Sequence, residues 1–186
     1  EKEYHYLKKS TWIIFIVSGI FMIIAYSFVS KEKLSEDKIS EINGTLKEDI
    51  KIDKLHRGGE ILVIKLNEYP DFEFTIGSIV LGRTNYSNLE YDFKKDNFIS
   101  FKVKTNDYQR TIAQPKTISV FDFSLDFDKI SIVEISQGNF SYLTLDDYNK
   151  AHSENNYIGL VFFMVISLVL MYYGIKSNKE ARNYKK

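Results

Sequence analysis

Two stretches of this chain interrupt the alternation of polar and apolar positions that fills the rest. Residues 10–30 (STWIIFIVSGIFMIIAYSFVS) and 155–175 (NNYIGLVFFMVISLVLMYYGI) each run for 21 residues without a charge. A helix rises 1.5 Å per residue, so each block is long enough to cover a hydrocarbon core of about 30 Å. Both read as transmembrane helices. Trp12 in the first, and Tyr157, Tyr172 and Tyr173 in the second, lie near the ends, where interfacial aromatic belts form. A buried globular core seldom holds helices this long with no charge. For the first block a cleaved signal peptide competes, because Lys8 and Lys9 precede it and Ala25-Tyr26-Ser27 is a small-x-small site. The block exceeds the usual signal core of about 7–15 residues, so a signal anchor is the better reading.

Between the blocks the pattern changes to short runs rich in Ile, Val, Phe and Tyr, bounded by Gly, Asn and Asp, which is the pattern of β-strands. The runs predict strands at 39–46, 50–55, 61–66, 72–76, 98–104, 118–127, 130–135 and 140–143. Turn signals separate them at His56-Arg57-Gly58-Gly59, Tyr69-Pro70-Asp71, Thr105-Asn106-Asp107 and Gln137-Gly138-Asn139. Residues 88–95 are ambiguous and admit a helical turn, and 31–38 is a polar linker. Thr144 followed by Asp147 has the spacing of a capping box, so a helix is expected to start there and continue through Tyr148 and His152 into the second span as a stalk.

The expected organisation is thus a membrane protein in which two transmembrane α-helices flank a mainly-β extracytoplasmic domain, a small sandwich or barrel. Its parts are a cytoplasmic tail (1–9), the first span (10–30), the β-rich domain with its helical stalk (31–156), the second span (157–175) and a basic cytoplasmic tail (176–186). Orientation follows the short flanks. Lys2, Lys8 and Lys9 precede the first span, and Lys176, Lys179, Arg182, Lys185 and Lys186 follow the second, which places both termini in the cytoplasm. The intervening segment holds 17 basic and 22 acidic residues and is exported largely regardless of charge. The expected location is a bacterial inner or plasma membrane, the host being read from the Lys, Ile, Asn, Phe and Tyr bias with only 2 prolines.

Composition narrows the chemistry. Lysine plus arginine equal aspartate plus glutamate at 25 each, so no nucleic-acid partner is expected. The absence of cysteine excludes disulfides, thiolate catalysis and common structural zinc sites. Neither span holds an ionisable residue, which argues against a transporter or pump. Ser18, Gly19 and Ala25, with Gly159 and Ser167, are small enough for close helix contact.

Within the domain, Asp122, Asp126 and Asp128 share one face of a predicted strand and are weak candidates for a calcium ion, which takes oxygen ligands. The run fails as an EF-hand loop, with Phe127 at the sixth position and Val133 at the twelfth, so a solvated strand face is preferred. His56 and Arg57 beside two glycines are candidates for an anion-binding turn, against a plain hairpin. Tyr69 and Pro70, with Tyr86, Tyr91 and Tyr108, are candidates for a recognition surface, against core packing. His152 is expected as a solvated helix residue. Ser35 and Lys38 match S-x-x-K, but the accompanying motifs are missing and the match is set aside. No hydrolase, zincin, P-loop or dinucleotide fingerprint occurs.

No enzyme and no cofactor are therefore expected. The partners expected are the lipid bilayer and another envelope or membrane protein bound by the β domain. The competing functions are a ligand or ion sensor relaying through a partner, and an extracytoplasmic enzyme.

Overall fold

The computed structural model describes residues 2–55, 58–113 and 129–183. In chain order the elements are helix α1 (Lys2–Val29), strands β1 (Ile39–Thr45), β2 (Lys51–Lys54), β3 (Glu60–Ile64) and β4 (Glu73–Ile76), helices α2 (Ser78–Leu81) and α3 (Tyr86–Asp92), strand β5 (Phe98–Lys104), the single turn α4 (Thr105–Tyr108), strands β6 (Lys129–Gln137) and β7 (Phe140–Leu143), and helix α5 (Leu145–Asn183). The chain divides into two compact units, Glu1–Glu32 with Ser153–Lys186, and Lys33–His152. Two long apolar helices thus flank a mixed β-sheet domain. Seven expected strands appear close to their anticipated positions, and the ambiguous 88–95 stretch corresponds to α3. The helix α2 is an addition to the expected elements, and α4 replaces the turn expected at Thr105. The strand expected at 118–127, with Asp122, Asp126 and Asp128, lies outside the described residues, as do His56 and Arg57.

Small side chains organise the helical unit. On α1, Thr11, Ser18 and Ala25 are buried, and on α5, Ser167, Gly174 and Ala181 are buried, each set spaced by seven residues. A seven-residue repeat keeps one seam facing its partner, and small residues let two backbones approach. Four residue pairs fix the antiparallel register. Thr11 and Ser177 hydroxyls meet at 2.7 Å. Ser18 Oγ donates to the Ser167 carbonyl and Ser167 Oγ donates to the Ser18 carbonyl, both at 2.9 Å. The Phe163 ring stacks 5.8 Å from both Phe21 and Phe28. A Cβ added at Gly159 would meet the Phe28 ring at 2.7 Å, so glycine is what admits that ring. Gly19, expected at the contact, is exposed with nothing near its missing side chain, because it lies one position past the Ser18 row.

In the second unit the strand order is β1-β5-β6-β4-β3-β2, with β7 paired to β6. The pairings are antiparallel except β4 with β6, which run parallel across a long connection containing α2, α3 and β5. The path also returns on itself. Beyond β1 and β3, Lys47 N–H donates to the Lys65 carbonyl and Asn67 N–H to the Thr45 carbonyl, both at 2.9 Å, around a Leu46–Leu66 bridge. Strand alternation is clearest in β5, where Ile99, Phe101 and Val103 point inward and Phe98, Ser100 and Lys102 outward. In β6, Ile132 and Val133 are both buried because the pairing with β5 shifts register there, and this bulge returns Ile135 to the core. The edge strand β2 is short and largely charged, which discourages further pairing.

The helix expected to start at Thr144 does so and continues as α5, and its first turns pack into this core. Tyr148 and Ala151 are buried in the cluster and Leu145 packs against it, a spacing of three that puts all of them on one helix face. The Thr144 cap forms as expected, with Asp147 N–H donating to Thr144 Oγ1 at 3.0 Å. The Thr144 hydroxyl donates to the Asp147 carboxylate at 2.6 Å. The polar linker is tied down as well. Asn149 accepts from Leu34 N–H at 2.9 Å and donates to the Leu34 carbonyl at 2.8 Å.

Candidate functional site

The helical unit has its polarity reversed relative to a water-soluble helix pair. Hydroxyls, glycine and alanine fill the seam, while large apolar side chains such as Ile16, Ile23, Ile158 and Phe162 are outside. Only 11% of the most apolar window of each helix is buried, so neither is the core helix of a globule. Every buried side-chain nitrogen and oxygen among the described residues has a hydrogen-bond partner, the seam hydroxyls included. By length and composition both helices are suited to cross a membrane.

On the β-sheet unit, the exposed large aromatic groups among the described residues are Tyr91 on α3 at 81%, Phe98 on β5 at 62% and Phe140 on β7 at 44%. Helix α3 and strand β7 are joined locally. Asn85 N–H donates to the Tyr142 carbonyl at 2.8 Å, and Tyr142 Oη donates to the Asp92 carboxylate at 2.6 Å. The Tyr142 ring lies 4.8 Å from Phe140 and 5.5 Å from Phe93, both edge-on, so a buried aromatic backs the exposed one. Burial first, and the nearby Asp92 carboxylate second, push the Tyr142 phenol up to about 12. It is a structural hydrogen-bond donor across the neutral range.

The residues singled out in the sequence separate in space. Tyr69 is half-buried and sets its ring edge-on to Phe74 at 5.8 Å, while Pro70 is exposed in the adjoining turn. Tyr86 and Tyr108 pack against the core, which leaves Tyr91 as the exposed tyrosine of the expected recognition set. His152 is half-buried, its ring 4.4 Å from Tyr148, because it lies one turn after Tyr148 on α5. This corrects the solvated position expected of it. Gly58 and Gly59, which follow His56 and Arg57 in the chain, hold φ angles of 84° and 94°, which only glycine adopts cheaply, and Leu55 N–H donates to the Gly59 carbonyl at 3.0 Å.

Phe140 and Asp92 were not among the sequence candidates. A hairpin turn followed by a β-strand pattern gives no sign that the leading phenylalanine faces out.

The charged clusters are structural in character. Lys102 bridges Glu134 at 2.8 Å and Glu36 at 3.6 Å, and the Glu134 carboxylate beside it raises its ammonium above the ordinary value. Lys65 sits between Glu73 at 3.1 Å and Glu48 at 3.5 Å and is raised chiefly by Glu73. Glu68 accepts the Thr45 N–H at 2.8 Å, which lowers its carboxyl below the usual range. Among the described residues, no group of three or more His, Asp or Glu side chains is placed to hold a metal ion. The surfaces that the geometry offers are therefore the apolar exterior of the helix pair and the exposed aromatic side chains of the β domain, Tyr91 and Phe140 among them. Comparison with known protein families and with curated proteins finds no match for this chain.

Proposed function

We propose that the chain is a non-enzymatic accessory protein held in a cell membrane by two transmembrane helices. Both termini face the cytoplasm, and the β domain lies outside, where it engages another envelope or membrane protein. One observation carries the anchoring: the helix pair buries Ser18, Ser167 and Gly174 and turns Ile, Leu, Phe and Tyr outward. In water that arrangement forfeits the hydrophobic effect. In hydrocarbon it is favourable, because outward apolar groups are solvated by lipid and association depends on close packing and interhelical hydrogen bonds. Orientation is supported by the lysine and arginine excess outside the two apolar blocks.

The binding role is supported by Tyr91 and Phe140, exposed aromatic groups on α3 and β7, two elements joined through Tyr142. The absence of cysteine makes the test clean. Single cysteines placed at Asn178 and at Ser40 should show opposite behaviour toward a membrane-impermeant maleimide on intact cells, with Ser40→Cys labelled and Asn178→Cys protected. Extraction of the chain by alkaline carbonate, or the reverse labelling, would defeat the anchoring or its orientation. For the partner, a photo-crosslinking residue at Tyr91 should give a discrete adduct with a second membrane or envelope protein, lost in Phe140→Ser. Recovery of the uncrosslinked chain alone, from both position 91 and position 140, would remove the binding role.

A further inference from the structure

Where the apolar part of the helix pair ends, basic side chains gather on its outer surface. The Thr11–Ser177 hydroxyl contact at 2.7 Å marks the level. Lys9 and Lys179 each lie two residues past it toward the same end, about 3 Å at the helical rise. Lys176 is one residue before Ser177 on α5, and Arg182 follows Lys179 by three. Residues three apart on a helix share a face, so Lys176, Lys179 and Arg182 form one row. All three and Lys9 are exposed, whereas Gly174 and Ala181 on the other side of α5 are buried in the seam. Among the residues whose side chains the structure describes, none of these four cations forms an ion pair. The accompanying acid in this part of α5 is Glu180 alone.

The amphipathic aromatics at this level are Tyr172, one turn before Lys176 on α5, and Trp12, three residues after Lys9 on α1, exposed to 65% and 63%. Cations in a row, next to tryptophan and tyrosine and immediately beyond an apolar surface, meet the three layers of a phospholipid in order: acyl chain, glycerol region, phosphate.

We propose that Lys9, Lys176, Lys179 and Arg182 form a selective contact site for anionic phospholipid headgroups on the outer surface of the helix pair. The inference rests on the membrane reading above and adds a ligand class to it. Charge complementarity selects this occupant. A zwitterionic headgroup carries its own cation and gains little from four more, whereas a phosphatidylglycerol-type headgroup presents an uncompensated phosphate. A second protein would need an acidic surface buried at headgroup depth, which costs desolvation that the lipid does not incur.

Trp12 is the chain's single tryptophan and lies next to Thr11, so it reports lipid contact at this level. The full chain is reconstituted in phosphatidylcholine vesicles containing either brominated phosphatidylglycerol or brominated phosphatidylcholine, and Trp12 quenching is compared at equal mole fraction. The anionic quencher should be preferred about fivefold, the weight of roughly one basic residue at an anionic surface. The preference should shrink at high salt.

The Lys176→Gln/Lys179→Gln/Arg182→Gln variant should bring the ratio to about one while leaving quenching by brominated phosphatidylcholine unchanged. The Lys176→Arg/Lys179→Arg variant should keep the preference. Equal quenching by the two lipids in the unmodified chain, or a preference that survives in the glutamine variant, overturns the proposal. Displacement of the lipid by an equal concentration of glycerol phosphate, which has no acyl chain, also overturns it in favour of a free-anion site. Quenching by neither lipid would refute the membrane reading itself, a result distinct from equal quenching by both.

Discussion

Replacing Ser18 and Ser167 by alanine tests whether hydrogen bonding holds the helix pair together. The two hydroxyls make reciprocal bonds of 2.9 Å to each other's carbonyls. Alanine preserves the small seam, so packing is retained and only the bonds are lost. The carbonyls that lose a donor still accept their own intrahelical bonds, so no orphaned group adds a desolvation penalty. Interhelical bonds of this kind contribute about 0.6 kcal/mol on average and up to about 1.7. Two of them predict a loss of about 1–3 kcal/mol, or roughly 5- to 150-fold in the ratio of packed to separated helices.

The chain lacks cysteine, so a thiol pair at Thr11→Cys/Ser177→Cys, replacing hydroxyls 2.7 Å apart, reports packing as disulfide formation. Equilibration of the purified chain in detergent against a glutathione buffer gives an effective thiol concentration. That value should fall at least about fivefold in the Ser18→Ala/Ser167→Ala background. A change of less than twofold, or equal linking of a control pair that moves one thiol to the exposed Ile13, would refute the reasoning.

Other perturbations read the β domain. Phe101→Ala should destabilise it by about 3–5 kcal/mol in denaturant titration, because the ring is buried against Phe74 at 5.0 Å. Asn149→Leu removes both bonds to the Leu34 backbone and should cost about 1–3 kcal/mol in the same titration. Thr144→Ala deletes the cap of α5 and should cost about 1 kcal/mol, with Thr144→Ser restoring most of it.

Tyr142 sets an alkaline limit. Its folded value of about 12 exceeds the ordinary 10.0, so the folded state holds the proton more tightly. Stability is therefore full below pH 10 and falls by about 2–3 kcal/mol as pH rises toward 12. Tyr142→Phe should lose about 1 kcal/mol at neutral pH and flatten that part of the alkaline profile, measured as the difference between the two unfolding curves.

The two long helices, most strand positions and the Thr144 cap were legible in the sequence because each depends on neighbours a few residues away. Charge-free length marks a helix suited by composition to cross a membrane, alternation marks β5 residue by residue, and a hydroxyl three before a carboxylate marks a helix start. The candidate surfaces were less legible. Four of the tyrosine candidates look alike in sequence, yet Tyr69, Tyr86 and Tyr108 contribute to the core or its rim and Tyr91 does not. Periodicity gives the face of an element, and only the opposite wall decides whether that face is covered.

The remaining features are long-range. The parallel β4–β6 pair, the Leu46–Leu66 closure, the β6 bulge and the docking of Tyr148 into the domain each join residues distant in the chain. The same holds for Ser18 meeting Ser167, which are 149 positions apart. Local sequence determines which side chains can serve such contacts, since small groups permit approach and hydroxyls permit bonds. Which pairs meet is decided by the tertiary structure, because register is a property of two surfaces at once and neither segment carries it alone.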